Sequence, residues 1–79
     1  MTVEVRLPQW SMAMLDGDIV KWLKAEGDRV IQGEPLVEVE TAKASACVEA
    51  PVSGKLVRVL VREGDTAEVA QVLAEIEPE

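Results

Sequence analysis

The sequence predicts an all-β domain, a flattened barrel of two small antiparallel sheets. Three observations support this: a segment repeats itself within the chain, both copies alternate apolar and polar residues as strands do, and glycine-containing turns separate the alternating runs. The chain has 79 residues, of which 48% are hydrophobic. We therefore expect a single domain over residues 1–79 with one apolar core.

The internal repeat relates residues 17–40 to residues 54–77 without a gap, an offset of 54 − 17 = 37 positions. Nine of the 24 aligned pairs are identical, including a Glu-Gly-Asp turn at 26–28 and again at 63–65. Two copies are too few for a solenoid, which needs about three repeats. The repeat therefore predicts one globule with two similar halves about a pseudo-two-fold axis.

The strands can be placed in order from the pattern. Residues 3–7 alternate and end at Pro8. Residues 18–26 are ambiguous, because their apolar residues also lie near helical spacing. Their repeat partner, residues 55–63, is a poor helix former, and equivalent segments should fold alike, so both are predicted as strands.

Later strands show clearer alternation. The predicted outcome for residues 57–61 is a strand with its three valines on one face, followed by the turn at 63–65 and a strand at 73–77. In the first copy, the strand is expected to have Val37 and Val39 on one face. The opposite face is expected to carry Leu36, Glu38 and Glu40.

The segment between the repeats, residues 41–53, is predicted to be a hairpin with Ala42 and Lys43 at or near its tip. Lys43 is the only charged residue between Glu40 and Glu49, and its neighbours have short side chains. A lysine so placed projects into solvent and suits attachment of a long prosthetic group. An ordinary solvated lysine is the alternative interpretation. Its amine has an unperturbed pKa of about 10.4, so a modifying enzyme would have to remove a proton.

Composition excludes several classes of function. The net charge of −7 disfavours nucleic-acid and anionic-membrane partners. The sequence contains no run of about 18 apolar residues, so no membrane span is predicted. The N-terminus does not resemble a secretory signal. The single cysteine, Cys47, fits a reducing compartment, so a cytoplasmic location is expected.

The missing residue types argue against catalysis. The chain has no His, Phe or Tyr, which leaves no histidine base, no zinc cluster and no aromatic stacking platform. Gly54-Lys55 is followed by Leu56, so it is not a phosphate-binding P-loop, and there is no G-x-G-x-x-G. We expect no catalytic residues and no metal site.

The sequence resembles the lipoyl domains of 2-oxo acid dehydrogenase complexes over nearly its whole length. The motifs that carry the resemblance are Leu7-Pro8 with Met12, Met14 and Gly17, then 19–22, 26–30, 33–36, 37–44, and Ala50-Pro51 with Gly54. The internal repeat is also a feature of that family. The resemblance implies a barrel-sandwich hybrid fold with lipoate amide-linked to Lys43, and Glu40, Thr41, Ala42 and Ala44 as the recognition tip.

The resemblance also implies a swinging-arm carrier function. The lipoyl dithiolane would accept an acyl group from a thiamin-dependent 2-oxo acid (or acetoin-type) dehydrogenase and deliver it to an acyltransferase for coenzyme A. Dihydrolipoamide dehydrogenase would reoxidise it, and a lipoate ligase or lipoyl transferase would load it. The domain by itself would be non-catalytic. It would be a monomer when isolated and could form part of a dihydrolipoamide acyltransferase subunit.

One departure and two alternatives accompany this prediction. Most family members have Asp directly before the lysine, where this chain has Ala42. A biotin carrier of a carboxylase is the first alternative, although Ala42 and Ala44 replace the methionines that usually flank a biotinyl lysine. The second is an unmodified lipoyl-like binding module.

Three further features leave alternatives open. The segment with Trp10, Met12 and Met14 is either a partner-recognition loop beside the hairpin or a loop covering the core. Trp22 is expected in the core or half-buried. Cys47 is expected to be a small buried hydrophobe, with a redox role toward the lipoyl thiols as the less favoured interpretation.

Overall fold

A computed structural model of the chain describes residues 1–10, 12, 14–41 and 45–79. Its strands are β1 (Val3–Arg6), β2 (Asp16–Trp22), β3 (Arg29–Val30), β4 (Pro35–Glu40), β5 (Ser45–Glu49), β6 (Gly54–Val59), β7 (Thr66–Glu68) and β8 (Val72–Pro78). Within the described ranges there is no helix, and hence none that could cross a membrane.

The strands form two four-stranded sheets in which every observed pairing is antiparallel. One sheet has the order β1-β8-β6-β3 and the other β5-β4-β2-β7. The short strands β3 and β7 are exchanged between the repeat copies: β3 pairs with β6, and β7 with β2. Each sheet therefore contains strands from both halves, and the all-β, two-sheet prediction is confirmed.

The pairing register corresponds between the two sheets at the offset of 37 positions. Asp18 lies opposite Glu40, and 37 residues later Lys55 lies opposite Glu77. Both β2–β4 and β6–β8 carry a bulge at the same place, after Ile19 and after Leu56 respectively.

The first and fifth strands are also equivalent, a relationship that the sequence comparison missed. Val5 lies opposite Ala74 and Val48 opposite Val37, with a register shift just beyond each pair. Pro8 and Pro51 follow the two strands at matching positions. The offset here is 51 − 8 = 43 positions, so the first half contains 43 − 37 = 6 more residues between its first two strands than the second half.

Each Glu-Gly-Asp turn reaches across to the other half. The Glu63 carboxylate accepts a hydrogen bond from the Trp22 backbone N–H at 3.1 Å, and Glu26 accepts one from the Val59 N–H at 2.8 Å. Gly27 and Gly64 adopt φ values of 95° and 93°, which a side chain would make costly. The turns thus satisfy backbone donors just after the bulges of the opposite copy.

The core lies between the sheets and consists of Val, Leu, Ile, Ala and Met side chains. The largest fully buried members are Leu7, Ile19, Leu36, Leu56, Leu73 and Ile76. No described polar or charged residue is buried with them. Trp22 is half-buried against the core, one of the two expected outcomes, and its indole N–H donates a hydrogen bond of 3.0 Å to the Val61 carbonyl.

Local details of the strand predictions are wrong where bulges interrupt the alternation. Leu36 is fully buried rather than facing outward with Glu38 and Glu40, because the register shifts between Pro35 and Val37. The strand predicted at 57–61 ends at Val59, and Leu56, before the bulge, contributes the core side chain. The segment 18–26 is a strand only as far as Trp22.

Candidate functional site

The connection between β4 and β5 is the candidate site. The two strands pair antiparallel in register, and their last pair is Glu40 opposite Ser45. Val37 and Val39 are buried beneath this end of the hairpin, whereas Glu40 and Ser45 are exposed and Thr41 is half-buried. The inner face of the hairpin is therefore fixed to the core while its end faces solvent.

The predicted attachment residue and two members of the recognition tip, Ala42, Lys43 and Ala44, lie outside the described residues. In the sequence, Lys43 follows Glu40 by three residues and precedes Ser45 by two. The structure thus places the ends of the segment that contains Lys43, and the assignment of that lysine remains a prediction. Glu40 and Thr41, the described members of the tip, lie directly at the end of β4.

Close packing of β2 against β4 positions the hairpin. A Cβ atom at Gly17 would lie well inside van der Waals contact with the Val39 side chain and within 3.7 Å of the Met14 methyl. Gly17 therefore permits an approach of the two strands that any added side chain would disturb. Because Val39 is one residue from the end of β4, this contact fixes the base of the site.

Like charges face each other at this end of the molecule. Asp18 lies opposite Glu40, and Asp16 lies opposite Glu68. Cross-strand pairs of like charge destabilise a sheet. The Thr66 hydroxyl donates a hydrogen bond of 2.8 Å to Asp18, but none of the ion pairs found among the described residues involves these carboxylates. We call Asp16, Asp18, Glu40 and Glu68 the acidic end.

The opposite end of the molecule has one pair of opposite charges at the position equivalent to Asp18 and Glu40. Lys55, the counterpart of Asp18, lies opposite Glu77 on one side and opposite Arg29, a like charge, on the other. Arg29 forms an ion pair with Glu79. The repeat thus supplies an internal comparison between two equivalent pairs: two carboxylates, Asp18 and Glu40, at the hairpin end, and opposite charges, Lys55 and Glu77, at the other.

The six additional residues of the first half lie next to the acidic end. They belong to the loop between β1 and β2, which leads directly into Asp16. Met14 is 7% exposed, and its carbonyl accepts a hydrogen bond of 3.2 Å from the Gln9 side chain. Trp10 is 42% exposed, Met12 97% and Leu15 79%. The described residues of the loop therefore include two buried apolar side chains, Leu7 and Met14, and three exposed ones; a purely core-covering loop would bury the latter.

A groove runs between the edge strands β1 and β5. Its volume is about 290 Å³. The buried Val5 and Val48 contribute to its lining, together with the exposed Trp10 and Cys47. Other lining residues are Glu4, Arg6, Pro8, Glu49 and Pro51. The expectation that Cys47 is buried is wrong, because strand alternation turns Val48 toward the core and Cys47 away from it.

The chemistry of the described residues fits a presenting surface. Among them, no three His, Cys, Asp or Glu side chains are grouped so as to hold a metal ion. The strands around the hairpin end supply carboxylates, a hydroxyl and apolar contacts. A covalent group attached between Glu40 and Ser45 would start beyond an exposed strand end.

A family model described as "Biotin-requiring enzyme", the biotin/lipoyl family, matches residues 3–76. The chain is 42% identical over 77 residues to the dihydrolipoyllysine-residue succinyltransferase component of the 2-oxoglutarate dehydrogenase complex of Bartonella vinsonii subsp. berkhoffii, covering 98% of this chain and 19% of that protein. It is 41% identical to the dihydrolipoyllysine-residue acetyltransferase component of the acetoin cleaving system of Pseudomonas putida, covering 86% and 18%. The chain thus spans about a fifth of these relatives.

Solved structures of two kinds share the fold. The lipoyl domain of the 2-oxoglutarate dehydrogenase complex from Azotobacter vinelandii aligns with a TM-score of 0.77 and 27% identity, covering 98% of this chain and 99% of that one. The urea carboxylase of Kluyveromyces lactis aligns with a TM-score of 0.82 and 26% identity, covering 98% of this chain and 6% of that one. Structural likeness alone does not separate the two kinds.

Proposed function

Because the chain belongs to the biotin/lipoyl family, we propose that it is a lipoyl carrier domain with lipoate amide-linked to Lys43. The observation that carries the choice of lipoate is the similarity to curated relatives. Proteins named as dihydrolipoyllysine-residue acyltransferase components match this chain at 41–42% identity over most of its length. The lipoyl-domain structure and the carboxylase structures all match at 26–27%, so the solved structures favour neither cofactor.

The group on Lys43 would supply a disulfide/dithiol couple that carries acyl groups and electrons between enzymes. The chain's own contribution is presentation. Gly17 and Val39 fix the hairpin base, and the exposed Glu40 and Ser45 mark the place where the arm begins. Tethering makes each encounter intramolecular and raises the effective concentration of the arm. The domain itself would be non-catalytic and would act as part of a dihydrolipoamide acyltransferase subunit.

Recognition by a thiamin-dependent dehydrogenase would use two features beside the hairpin. The exposed Trp10, Met12 and Leu15 would supply apolar contacts in the loop between β1 and β2. The acidic end would steer the domain toward a basic entrance on the partner. Like-charge pairs that weaken the sheet are explained if their field accelerates this encounter.

Intact-mass measurement with peptide mapping tests the proposal directly. The domain would be produced in cells that contain active lipoate and biotin ligases, with known lipoyl and biotinyl domains as loading controls. We expect a lipoyl adduct on Lys43, abolished by Lys43→Arg and retained in Lys55→Arg, a matched change on the exposed strand β6. A biotinyl adduct would reassign the domain to carboxylation.

An unmodified chain would contradict the carrier proposal if both ligases load their control domains. The remaining alternative would be a binding module that keeps the fold without the cofactor. That role predicts full activity of Lys43→Arg in the complex, whereas the carrier role predicts loss of acyl transfer. Acyl transfer would be followed with the partner dehydrogenase, the acyltransferase and dihydrolipoamide dehydrogenase.

A further inference from the structure

The groove between β1 and β5 is an unassigned cleft close to the attachment segment, and its lining combines apolar side chains with the charged Glu4, Arg6 and Glu49. Val5 and Val48, which are 2% and 4% exposed, help to form it, and Pro8, Pro51 and Trp10 add apolar walls. Trp10 belongs to the loop that the second half of the repeat lacks, so the pseudo-two-fold axis does not explain this wall. The groove therefore combines a symmetric base with one asymmetric aromatic side chain.

The groove lies within reach of an arm on Lys43. Cys47, which lines it, is two strand residues beyond Ser45, a distance of about 7 Å. Lys43 is two residues on the other side of Ser45, which adds at most about 7 Å. A lipoyl-lysine side chain is about 14 Å long when extended, by standard bond lengths. The arm can therefore fold back along β5 and bring its ring to the Cys47 edge of the groove.

We propose that the groove between β1 and β5 is a resting site for the dithiolane ring of the arm on Lys43, with Trp10 as its aromatic wall. The inference rests on the proposed function, since it needs a lipoylated Lys43. Sulfur contacts with aromatic rings are weakly favourable, and their range corresponds to a docked-to-free ratio of about two to ten. This preference shields the ring between encounters and still releases it to a partner.

A second cleft competes for the arm and makes the proposal discriminating. It is smaller, about 170 Å³, and lies on the other side of β5 against Val20. Glu38 and Glu40 line it with no basic residue beside them, whereas in the groove between β1 and β5 Arg6 pairs with Glu4 and leaves Glu49 as the one carboxylate without a lining cation. Both clefts share Cys47, so a signal at Cys47 alone cannot tell them apart. Trp10 reports on one cleft and Val20 on the other.

The test is nuclear magnetic resonance of the chain with and without lipoate, after intact mass has established loading on Lys43. We expect lipoylation to shift the indole N–H signal of Trp10 and the amides of Val48 and Glu49. Trp22 serves as internal control, because its indole is bonded to the Val61 carbonyl and lines a different cleft. Trp10→Ala should reduce the shifts at Val48 and Glu49 at least about twofold, whereas Trp10→Phe retains them.

Cys47→Ser separates resting contact from thiol exchange with the ring. The shifts at Trp10 should persist in this variant, because the contact we propose is not covalent. A lipoylated chain with no shift at Trp10, or with shifts at Val20 instead, would overturn the resting site and leave the carrier function intact. A chain that is never lipoylated, with working control domains, would overturn both.

Discussion

Asp18 and Glu40 face each other across β2 and β4 as a pair of carboxylates, although the equivalent pair at the far end of the molecule is Lys55 and Glu77. The two pairs occupy the same register in the two sheets, so differences of backbone geometry do not explain the choice of charge. Repulsion was retained at the end where β4 leads into the predicted attachment segment. Proteins break the local rules of sheet stability mainly at functional sites, so this unfavourable pair is consistent with a functional role for this end of the molecule.

Asp18→Asn should stabilise the fold and slow recognition. The amide removes the repulsion from Glu40 and keeps an oxygen for the Thr66 hydroxyl, so we expect the free energy of unfolding to rise by about 0.2–1 kcal/mol. If the acidic end steers docking, the association rate with the dehydrogenase falls and loses part of its salt dependence. Urea unfolding and stopped-flow binding measure the two effects.

Glu77→Gln is the matched control, because it changes the net charge by the same amount at the other end. It removes the attraction to Lys55, so we expect a loss of stability and an association rate close to that of the parent. Equal slowing by Glu77→Gln and Asp18→Asn would mean that only total charge matters. The acidic end would then have no specific role in docking.

Gly17→Ala should destabilise the domain by about 1–3 kcal/mol, because the new methyl overlaps the Val39 side chain. The clash involves a side chain, so Val39→Ala in the same molecule should recover part of that loss in a double-mutant cycle. At the equivalent Gly54 the clash is with the backbone carbonyl of Glu77, which no side-chain truncation relieves. Additive effects of Gly17→Ala and Val39→Ala in urea unfolding would contradict the contact.

The repeat made the two-sheet architecture predictable, because it identified equivalent strands before any pairing was known. It could not reveal that β1 and β5 are also equivalent. Equivalent positions of the two strands carry unlike residues, such as Glu4 and Cys47 or Arg6 and Glu49. The longer loop after Pro8 also changes the offset between the halves. Equivalence in those strands is preserved by backbone register, which sequence identity does not record.

Bulges and the exchange of β3 and β7 could not be predicted from the sequence for a related reason. Alternation assumes an unbroken pleat, so one extra residue after Leu56 breaks the predicted single face of valines: Val57 and Val59 are half-buried, and Val61, beyond the strand, is buried. The site was predicted from the position of Lys43 in the repeat and from resemblance. The acidic end and the groove between β1 and β5 were missed, because each combines residues distant in sequence; the six-residue difference between the halves was a signal that could have identified the loop.

Ala70→Gly should stabilise the domain slightly. Ala70 has φ 71°, and its repeat partner, Gly33, has φ 87°. The left-handed conformation costs an alanine about 1–2 kcal/mol, and glycine avoids this strain. Glycine also raises the entropy of the unfolded chain, which cancels about 0.4–1 kcal/mol of the gain. We expect a net gain of roughly 0.5 kcal/mol in urea unfolding. Ala25→Gly, at an exposed position without positive φ, should destabilise, and equal effects of both variants would contradict the strain.

The exposed loop gives a final prediction that separates recognition from folding. Met12 is 97% exposed, so Met12→Ser should leave the free energy of unfolding within about 0.5 kcal/mol of the parent. If the loop contacts the dehydrogenase, the same change raises KM for the lipoylated domain, because apolar contact area in the complex is lost. Ile31→Ser is the matched control: Ile31 is 62% exposed and follows β3, which pairs with the start of β6 at the end opposite the hairpin. A rise in KM confined to Met12→Ser supports docking through the loop, and equal behaviour of the two variants contradicts it.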